Sequence, residues 1–292
     1  MKGIILAGGG GSKLYPLTSA VNKHLLPVHN KPMIYYPLST LMAAGIREIL
    51  IVTVESDIPQ YERLLGDGSQ LGIHVSYKAQ LTAGGTAHAF LEAGEFIGGE
   101  NCALIFGDNI FYGRDMPRML CEACENTGRA TVFGYYVEHP EHYGVVEFNS
   151  NGSVLSLEEK PLNPRSHYAV TGLYFYNGDA IEYARTLEPD RRGLLEVTDL
   201  NLIYLQKDLL DVKIMENGFA WIDAGTLQTL HMATNLVRTI ESCVSIPVGS
   251  PETVAYRQGW ITRGQLLDII ARYEQSPYKK VLRAVADGRL NI

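Results

Sequence analysis

Short runs of Val-, Ile- and Leu-rich sequence recur through the first half of the chain, each followed by a stretch of helical character. That alternation belongs to an α/β fold, a mostly parallel sheet flanked by helices of Rossmann-like type. It predicts strands over 3–6, 49–53, 75–77, 103–106 and 131–136, and helices over 33–44, 58–65, 86–96 and 115–126. From Gly144 the texture changes. VVEF and VLSLEEK flank the turn Asn149-Ser-Asn-Gly152 and read as a β-hairpin, with another strand over 169–176. Helices are expected over 178–187, 198–207 and 226–241, and strands over 212–215 and 219–222. Beyond about residue 245, the stretch Pro247-Val-Gly-Ser-Pro251 leads into helices over 263–274 and 278–287, an appended element suited to packing or subunit contact.

Composition bounds the function. The 292 residues are 46% hydrophobic and 20% charged, which is globular material. A formal net charge of -7 excludes a general binder of nucleic acid or of anionic membrane, since both draw on basic surface. Any phosphate grip must be local. The opening MKGIILAGGGGSKL is too short in apolar residues for a signal peptide, and no run reaches the roughly 18 apolar residues of a membrane span. A cytoplasmic protein with neither membrane nor nucleic-acid partner is expected. Its cysteines, at positions 102, 121, 124 and 243, need not pair in a reducing compartment. The Cys121–Cys124 spacing lacks a second ligand pair and reads as two thiols near a helix face.

Gly8, Gly9, Gly10 and Gly11 follow the first strand directly and precede Ser12 and Lys13. Glycine permits positive φ and removes the Cβ, so backbone N–H groups can surround phosphate oxygens, and Lys13 and Lys23 add charge nearby. Two better-known loops are excluded. A G-x-G-x-x-G frame would need glycine where Lys13 or Leu14 stands, and a Walker loop would need glycine where Ser12 stands. Further on, Asp108 sits just past an apolar strand, where open α/β sheets bind ligands, and Asp223 ends a second short strand. Two carboxylates so placed suit Mg²⁺, which completes its octahedron with waters and phosphate oxygens. Taken alone, Asp223 reads more readily as the cap of the helix that starts near Thr226.

The string KGIILAGGGGSKLYPLT, continued by NKHLLPVHNKPMIYYPL, resembles the N-terminal signature of the sugar-1-phosphate nucleotidyltransferases, and within them of the glucose-1-phosphate thymidylyltransferases. The likeness runs on in the family's order through LGDGSQLG, FIGGENCALIFGDNIFYG, YGVVEF, LEEKP, YAVTGLYFY, LEVTDLN and FAWIDAGT. It implies a nucleotidyltransferase domain over 1–245, with a nucleotide-binding part over about 1–135 and a β-rich sugar-binding part over about 136–225, then a helical extension over 246–292. The implied reaction joins dTTP to α-D-glucose 1-phosphate with Mg²⁺, giving dTDP-glucose and pyrophosphate for deoxysugar or polysaccharide synthesis. A homo-oligomer, in this family a tetramer with a regulatory nucleotide site at subunit contacts, is also implied.

Residue by residue, the resemblance assigns the nucleotide to Leu6, Gly8, Gly9, Gly10, Gly11, Ser12, Lys13, Lys23, Gln80, Gly85 and Asp108. It assigns the metal to Asp108 and Asp223, and the sugar phosphate to Asn109, Gly144, Glu159, Lys160, Val170, Tyr174 and Arg192. Lys13, Lys23, Lys160 and Asp108 carry the catalytic charge. The Gln80 amide can accept from a pyrimidine N3–H and donate to its carbonyl, which selects uracil or thymine over cytosine.

The chain departs from the family at three places. Ser12 and Lys13 replace Thr and Arg in the loop, and a compact ammonium replaces a bidentate fork. Ala83-Gly84-Gly85-Thr86-Ala87-His88-Ala89 replaces P-D-G-L-A-Q-A, and Ala224 replaces the threonine after the metal aspartate. Two alternatives follow from these changes. One is the same chemistry on another NTP or another sugar or cyclitol phosphate; the other is a catalytically weakened nucleotide-binding regulator.

Overall fold

The computed structural model describes residues 1–82, 84–244 and 246–290. In chain order its elements begin with β1 (Lys2–Leu6), β2 (Pro27–Val28), β3 (Lys31–Pro32), α1 (Tyr35–Ala43), β4 (Glu48–Thr53), α2 (Ile58–Leu65) and β5 (His74–Ala79). Next come α3 (His88–Glu92), α4 (Gly94–Ile97), β6 (Cys102–Phe106), β7 (Asn109–Gly113), α5 (Met116–Glu125), β8 (Ala130–Tyr136), β9 (Gly144–Phe148), β10 (Val154–Glu159) and β11 (Tyr168–Tyr176). The chain ends with α6 (Ala180–Arg185), α7 (Val197–Gln206), β12 (Leu210–Met215), β13 (Phe219–Asp223), α8 (Leu227–Val244), α9 (Pro251–Arg257), α10 (Arg263–Arg272) and α11 (Pro277–Ala286).

A nine-stranded sheet runs β10-β9-β11-β6-β1-β4-β5, with β8 pairing β11 and β12. β1 is parallel to both β4 and β6, with Gly3 opposite Ile49 on one side and Ala103 on the other. After β1 the chain builds outward through β4 and β5, then returns to place β6 on β1's other side. This reversal leaves a crevice outside the carboxyl ends of β1 and β6, the position at which open α/β sheets hold ligands. The expected hairpin forms as antiparallel β9 and β10, and β11 lies antiparallel to β6, so the later strands extend the same sheet.

Successive side chains of a strand face opposite layers, and the sequence supplies apolar residues for both. Ile5, Ile49, Ile51 and Ile105 join a core with Leu38, Leu41 and Tyr61. Their neighbours Ile4, Leu50, Val52 and Leu104 join another with Phe90, Tyr176, Leu200 and Tyr204. Each such aliphatic side chain, buried, is worth about 1.5–3 kcal/mol.

Three local expectations are revised. The helix foreseen over 86–96 divides into α3 and α4 at Ala93. A strand not foreseen, β7, pairs antiparallel with β13 in a separate small sheet, Asn109 opposite Asp223. A helix not foreseen, α9, begins at Pro251 and is capped by the Ser250 side chain. Proline suits the first helical turn because the N–H it lacks would have no partner there.

The three last helices complete the first core through Ala255, Leu266, Ile270, Leu282 and Val285. Buried Glu252 fastens them, accepting from the Tyr278 hydroxyl and, at 2.5 Å, from the Tyr273 hydroxyl. Cys121 and Cys124 lie on α5 as free thiols, as read from their spacing. Among the described residues, no helix is long and apolar enough to cross a membrane.

Candidate active site

The turn after β1 opens onto a cleft of about 630 Å³. Leu6, Gly8, Gly9, Gly10, Lys23, Gln80, Gly85, Asp108, Lys160 and Arg192 all line it, so residues 186 positions apart in sequence (6 to 192) share one cleft. The glycines are needed for what lies against them. A Cβ on Gly8 would fall 2.2 Å from Gln80 Oε1, and one on Gly9 would fall 3.2 Å from Lys23 Nζ. Gly11 turns the chain at φ +62° into a short 3₁₀ segment, Ser12–Leu14, in which Leu14 is buried while Ser12 and Lys13 stay exposed at the lip. The carbonyl of Ala7 accepts from Thr53 Oγ1 (3.0 Å) and Asn22 Nδ2 (3.1 Å), which anchors the start of the turn.

Asp108 follows β6 after Gly107 and is 8% exposed. Its Oδ2 accepts from Lys23 Nζ at 2.5 Å and its Oδ1 from Asn109 Nδ2 at 3.0 Å. The β7–β13 pairing brings Asp223 alongside: Ala224 N–H donates to the Asp108 carbonyl at 2.9 Å, and Gly225 N–H to Asp223 Oδ1 at 3.0 Å. A Cβ on Gly225 would lie 2.9 Å from Asp223 Oδ1 and 3.6 Å from Asp108 Oδ2, so the two carboxylates converge on a space that only glycine leaves open.

Burial, then the facing Asp108, push the Asp223 carboxyl up to about 6, with Lys23 and more distant Lys13 opposing. Burial acts on Asp108 too, but Lys23 above all outweighs it and holds that carboxyl below its usual range. Beneath them lies His24, 1% exposed, its Nδ1 2.7 Å from Asn22 Oδ1. Burial and Lys23 bring His24 down to about 3, so it is a neutral floor to the cleft.

Across the cleft, Lys160 ends the hairpin at φ +46°, its Nζ 2.7 Å from Glu159 Oε1. Glu159 Oε2 accepts from Thr198 Oγ1 at 2.6 Å, and the absent Cβ of Gly144 would meet Thr198 Oγ1 at 3.1 Å, Glu159 Oε2 at 3.3 Å and Val170 Cβ at 3.9 Å. Gly144, Glu159, Val170 and Thr198 therefore form one polar corner. Tyr174 is buried behind it, its ring 5.6 Å from that of the cleft residue Phe106. Asn109, 2% exposed, is a structural junction: Oδ1 accepts from Trp221 Nε1 (2.6 Å) and Gly172 N–H (3.0 Å), which ties β7, β11 and β13 together behind Asp108.

Arg192 is held by two carboxylates, Asp190 Oδ2 at 2.7 Å and Glu196 Oε1 at 2.6 Å. Sequence reasoning passed over His24, Thr86, Glu196 and Thr198. Glu196 and Thr198 lie within LEVTDLN, but nothing in that string says the glutamate is buried.

A nucleotidyl transferase family model matches residues 2–239. A glucose-1-phosphate thymidylyltransferase of Neisseria meningitidis serogroup A is 49% identical over 282 residues, covering 97% of this chain and 98% of its own. One from Mycolicibacterium smegmatis is 47% identical over 287 residues, covering 98% and 99%. Among solved structures, a Bacillus anthracis protein assigned as a glucose-1-phosphate thymidylyltransferase, in complex with a sucrose, superposes with a TM-score of 0.76 at 40% identity, over 82% of this chain and 95% of that one. At 24% identity, a UDP-glucose pyrophosphorylase complexed with UDP-glucose shares the fold with a TM-score of 0.69. The chain belongs to the nucleotidyl transferase family, among its glucose-1-phosphate thymidylyltransferases.

Proposed function

We propose that the chain forms dTDP-glucose and pyrophosphate from dTTP and α-D-glucose 1-phosphate. The observation that carries this reading is the convergence of Asp108 and Asp223 beside the glycine turn, opposite Lys160 and Arg192, in a chain 49% identical to a thymidylyltransferase. Gly8, Gly9 and Gly10 offer backbone N–H groups to the triphosphate, and Lys23 and Lys13 its countercharge. Gln80, lying against Gly8, and Gly85 flank the base. Lys160 and Arg192 hold the sugar phosphate, while Gly144, Glu159, Val170 and Tyr174 shape the sugar corner. Catalysis here is positioning of two anions against each other plus neutralisation of the charge that develops on the departing pyrophosphate.

The donor set fits Mg²⁺: two hard carboxylates, one with its proton affinity raised by the other, converge on an open space. Among the described residues, no cluster of three or more His, Cys, Asp and Glu offers a fuller cage, and Mg²⁺ needs none. When bound, Mg²⁺ supplies charge neutralisation at the reacting phosphates. The division into a domain over 1–245 and an extension over 246–292, with nucleotide and sugar parts over about 1–135 and 136–225, belongs to the same proposal. So does assembly as a homotetramer, favoured by exposed Leu227, Met232 and Val244 on α8. A cytoplasmic setting accords with four free cysteines.

One second reading has an observation of its own. Thr86 puts a smaller side chain in the cleft wall where the family's segment has leucine, which favours the same chemistry on a different sugar or cyclitol phosphate. A matrix of NTPs against sugar and cyclitol phosphates, read by pyrophosphate release, tests both. Fastest release from dTTP with glucose 1-phosphate is expected, whereas nucleotide binding without release from any pair would leave only the regulator.

A further inference from the structure

Glu196 is 7% exposed, and its two oxygens are bound by residues from two separate segments of the cleft lining. Oε1 accepts from Arg192 Nη2 at 2.6 Å, and Oε2 from Thr86 Oγ1 at 2.8 Å. The Thr86 oxygen in turn accepts from Val197 N–H at 2.9 Å. The backbone supports the same junction: Leu195 N–H donates to Gly84 O and Ala87 N–H to Leu195 O, each at 2.8 Å. Gly85 makes that approach feasible, because a Cβ there would lie 2.4 Å from Leu195 O.

We propose that Thr86 and Glu196 are positioning residues that set the Arg192 guanidinium for the sugar phosphate and tie it to the loop flanking the base. The inference rests on the reading of Arg192 as a sugar-phosphate group. A buried carboxylate needs both a countercharge and a donor for its other oxygen. In this chain the hydroxyl of Thr86 supplies that donor, at the position where the family's segment carries leucine. With Oε2 satisfied, the carboxylate is fixed, and Oε1 holds Arg192 Nη2 together with Asp190 Oδ2, which also accepts from Arg192 Nε at 2.9 Å. Without the hydroxyl, Oε2 and Val197 N–H both lose a partner, the carboxylate swings, and Arg192 is no longer presented in one geometry.

The test is steady-state kinetics, by pyrophosphate release from dTTP and glucose 1-phosphate, on T86V, T86S, E196Q, R192A and the double variant T86V/R192A. Thr86→Val is expected to raise KM for the sugar phosphate about fifteen-fold, the lower end of the scale of one hydrogen bond to a charged group, with KM for dTTP and kcat little changed. Thr86→Ser restores the hydroxyl and should restore KM. Glu196→Gln should act in the same direction as Thr86→Val. In the Arg192→Ala background, Thr86→Val should add nothing, since residues acting through one group are not additive.

A wild-type sugar-phosphate KM in T86V, or an undiminished effect of T86V in the R192A background, overturns the bridge while leaving the proposed reaction standing. An R192A enzyme with normal sugar-phosphate KM overturns the bridge and the Arg192 assignment together. Calorimetric titration of glucose 1-phosphate into the same variants reads the effect where turnover is absent, and equal affinities throughout would overturn the bridge there too.

Discussion

Lys23 Nζ lies 2.5 Å from Asp108 Oδ2, so the cation assigned to the triphosphate is also the counter-ion of a carboxylate assigned to the metal. Substrate arrival and metal arrival are thereby linked: an incoming anion competes for Lys23, and an incoming cation competes for Asp108. Replacing Asp108 by asparagine removes a metal oxygen's charge but relieves its repulsion with Asp223. Turnover should fall by roughly 10³-fold, while the thermal midpoint stays near wild type. Near-normal turnover in this variant would remove Asp108 from the metal site.

Gly8→Ala separates base reading from folding. The added methyl collides with the far end of Gln80, a flexible side chain, so the strand and turn can survive its displacement. KM for dTTP should rise about ten-fold, the scale of a lost bidentate contact, with little change in unfolding free energy. A KM within two-fold of wild type, read by the same pyrophosphate assay, would mean that Gln80 does not touch the base.

Glu252 predicts how firmly the last three helices are docked. Tyr273→Phe removes one of the hydroxyls that satisfy this buried carboxylate, which should cost about 1–3 kcal/mol in urea unfolding. Proteolysis beyond residue 250 should quicken in parallel. Unchanged stability would show that solvent already reaches Glu252.

Alkaline stability follows from the tyrosines. Burial first, then nearby carboxylates, hold the Tyr35, Tyr36, Tyr174 and Tyr278 hydroxyls well above their ordinary range. A group whose folded pKa is raised gives stability that is complete below the unfolded value near 10 and is lost as pH rises beyond it, at about 1.4 kcal/mol per pH unit for each group. Buried Lys31, whose pKa is lowered chiefly by burial, opposes this, but it is one group against several. Tyrosinate absorbance should therefore appear together with loss of circular dichroism. Gradual ionisation near pH 10 with the fold intact would contradict the linkage.

What the sequence disclosed was what is local. Buried strands announce themselves by apolar runs, so β1, β4 and β6 were legible, and with them the glycine turn and Asp108 just past a strand end. Asp223 was legible as a residue but ambiguous as a role, because its partner strand β7 lies more than 100 positions earlier and the pairing Asn109 to Asp223 leaves no periodicity to read. Helix α9 was not foreseen for a related reason: proline breaks helices inside but starts them at the first turn, and the Ser250 cap marks the second case here. Thr86 and Glu196 were invisible as a pair since their meeting depends on two backbone segments docking through Gly85. Asn109 was read for the sugar; that its side chain also joins Trp221, Gly172 and Asp108 was not legible, because those partners lie far apart in sequence.

The account's central claim is that this cleft joins dTTP to glucose 1-phosphate through the Asp108 and Asp223 pair. It is tested most directly by pyrophosphate release from those two substrates with Mg²⁺, with EDTA in its place, and with Asp223→Asn. The account predicts rapid release with Mg²⁺ and almost none in the other two conditions. Release that survives chelation or the loss of Asp223, or no release from the wild-type chain with dTTP and glucose 1-phosphate, would contradict it.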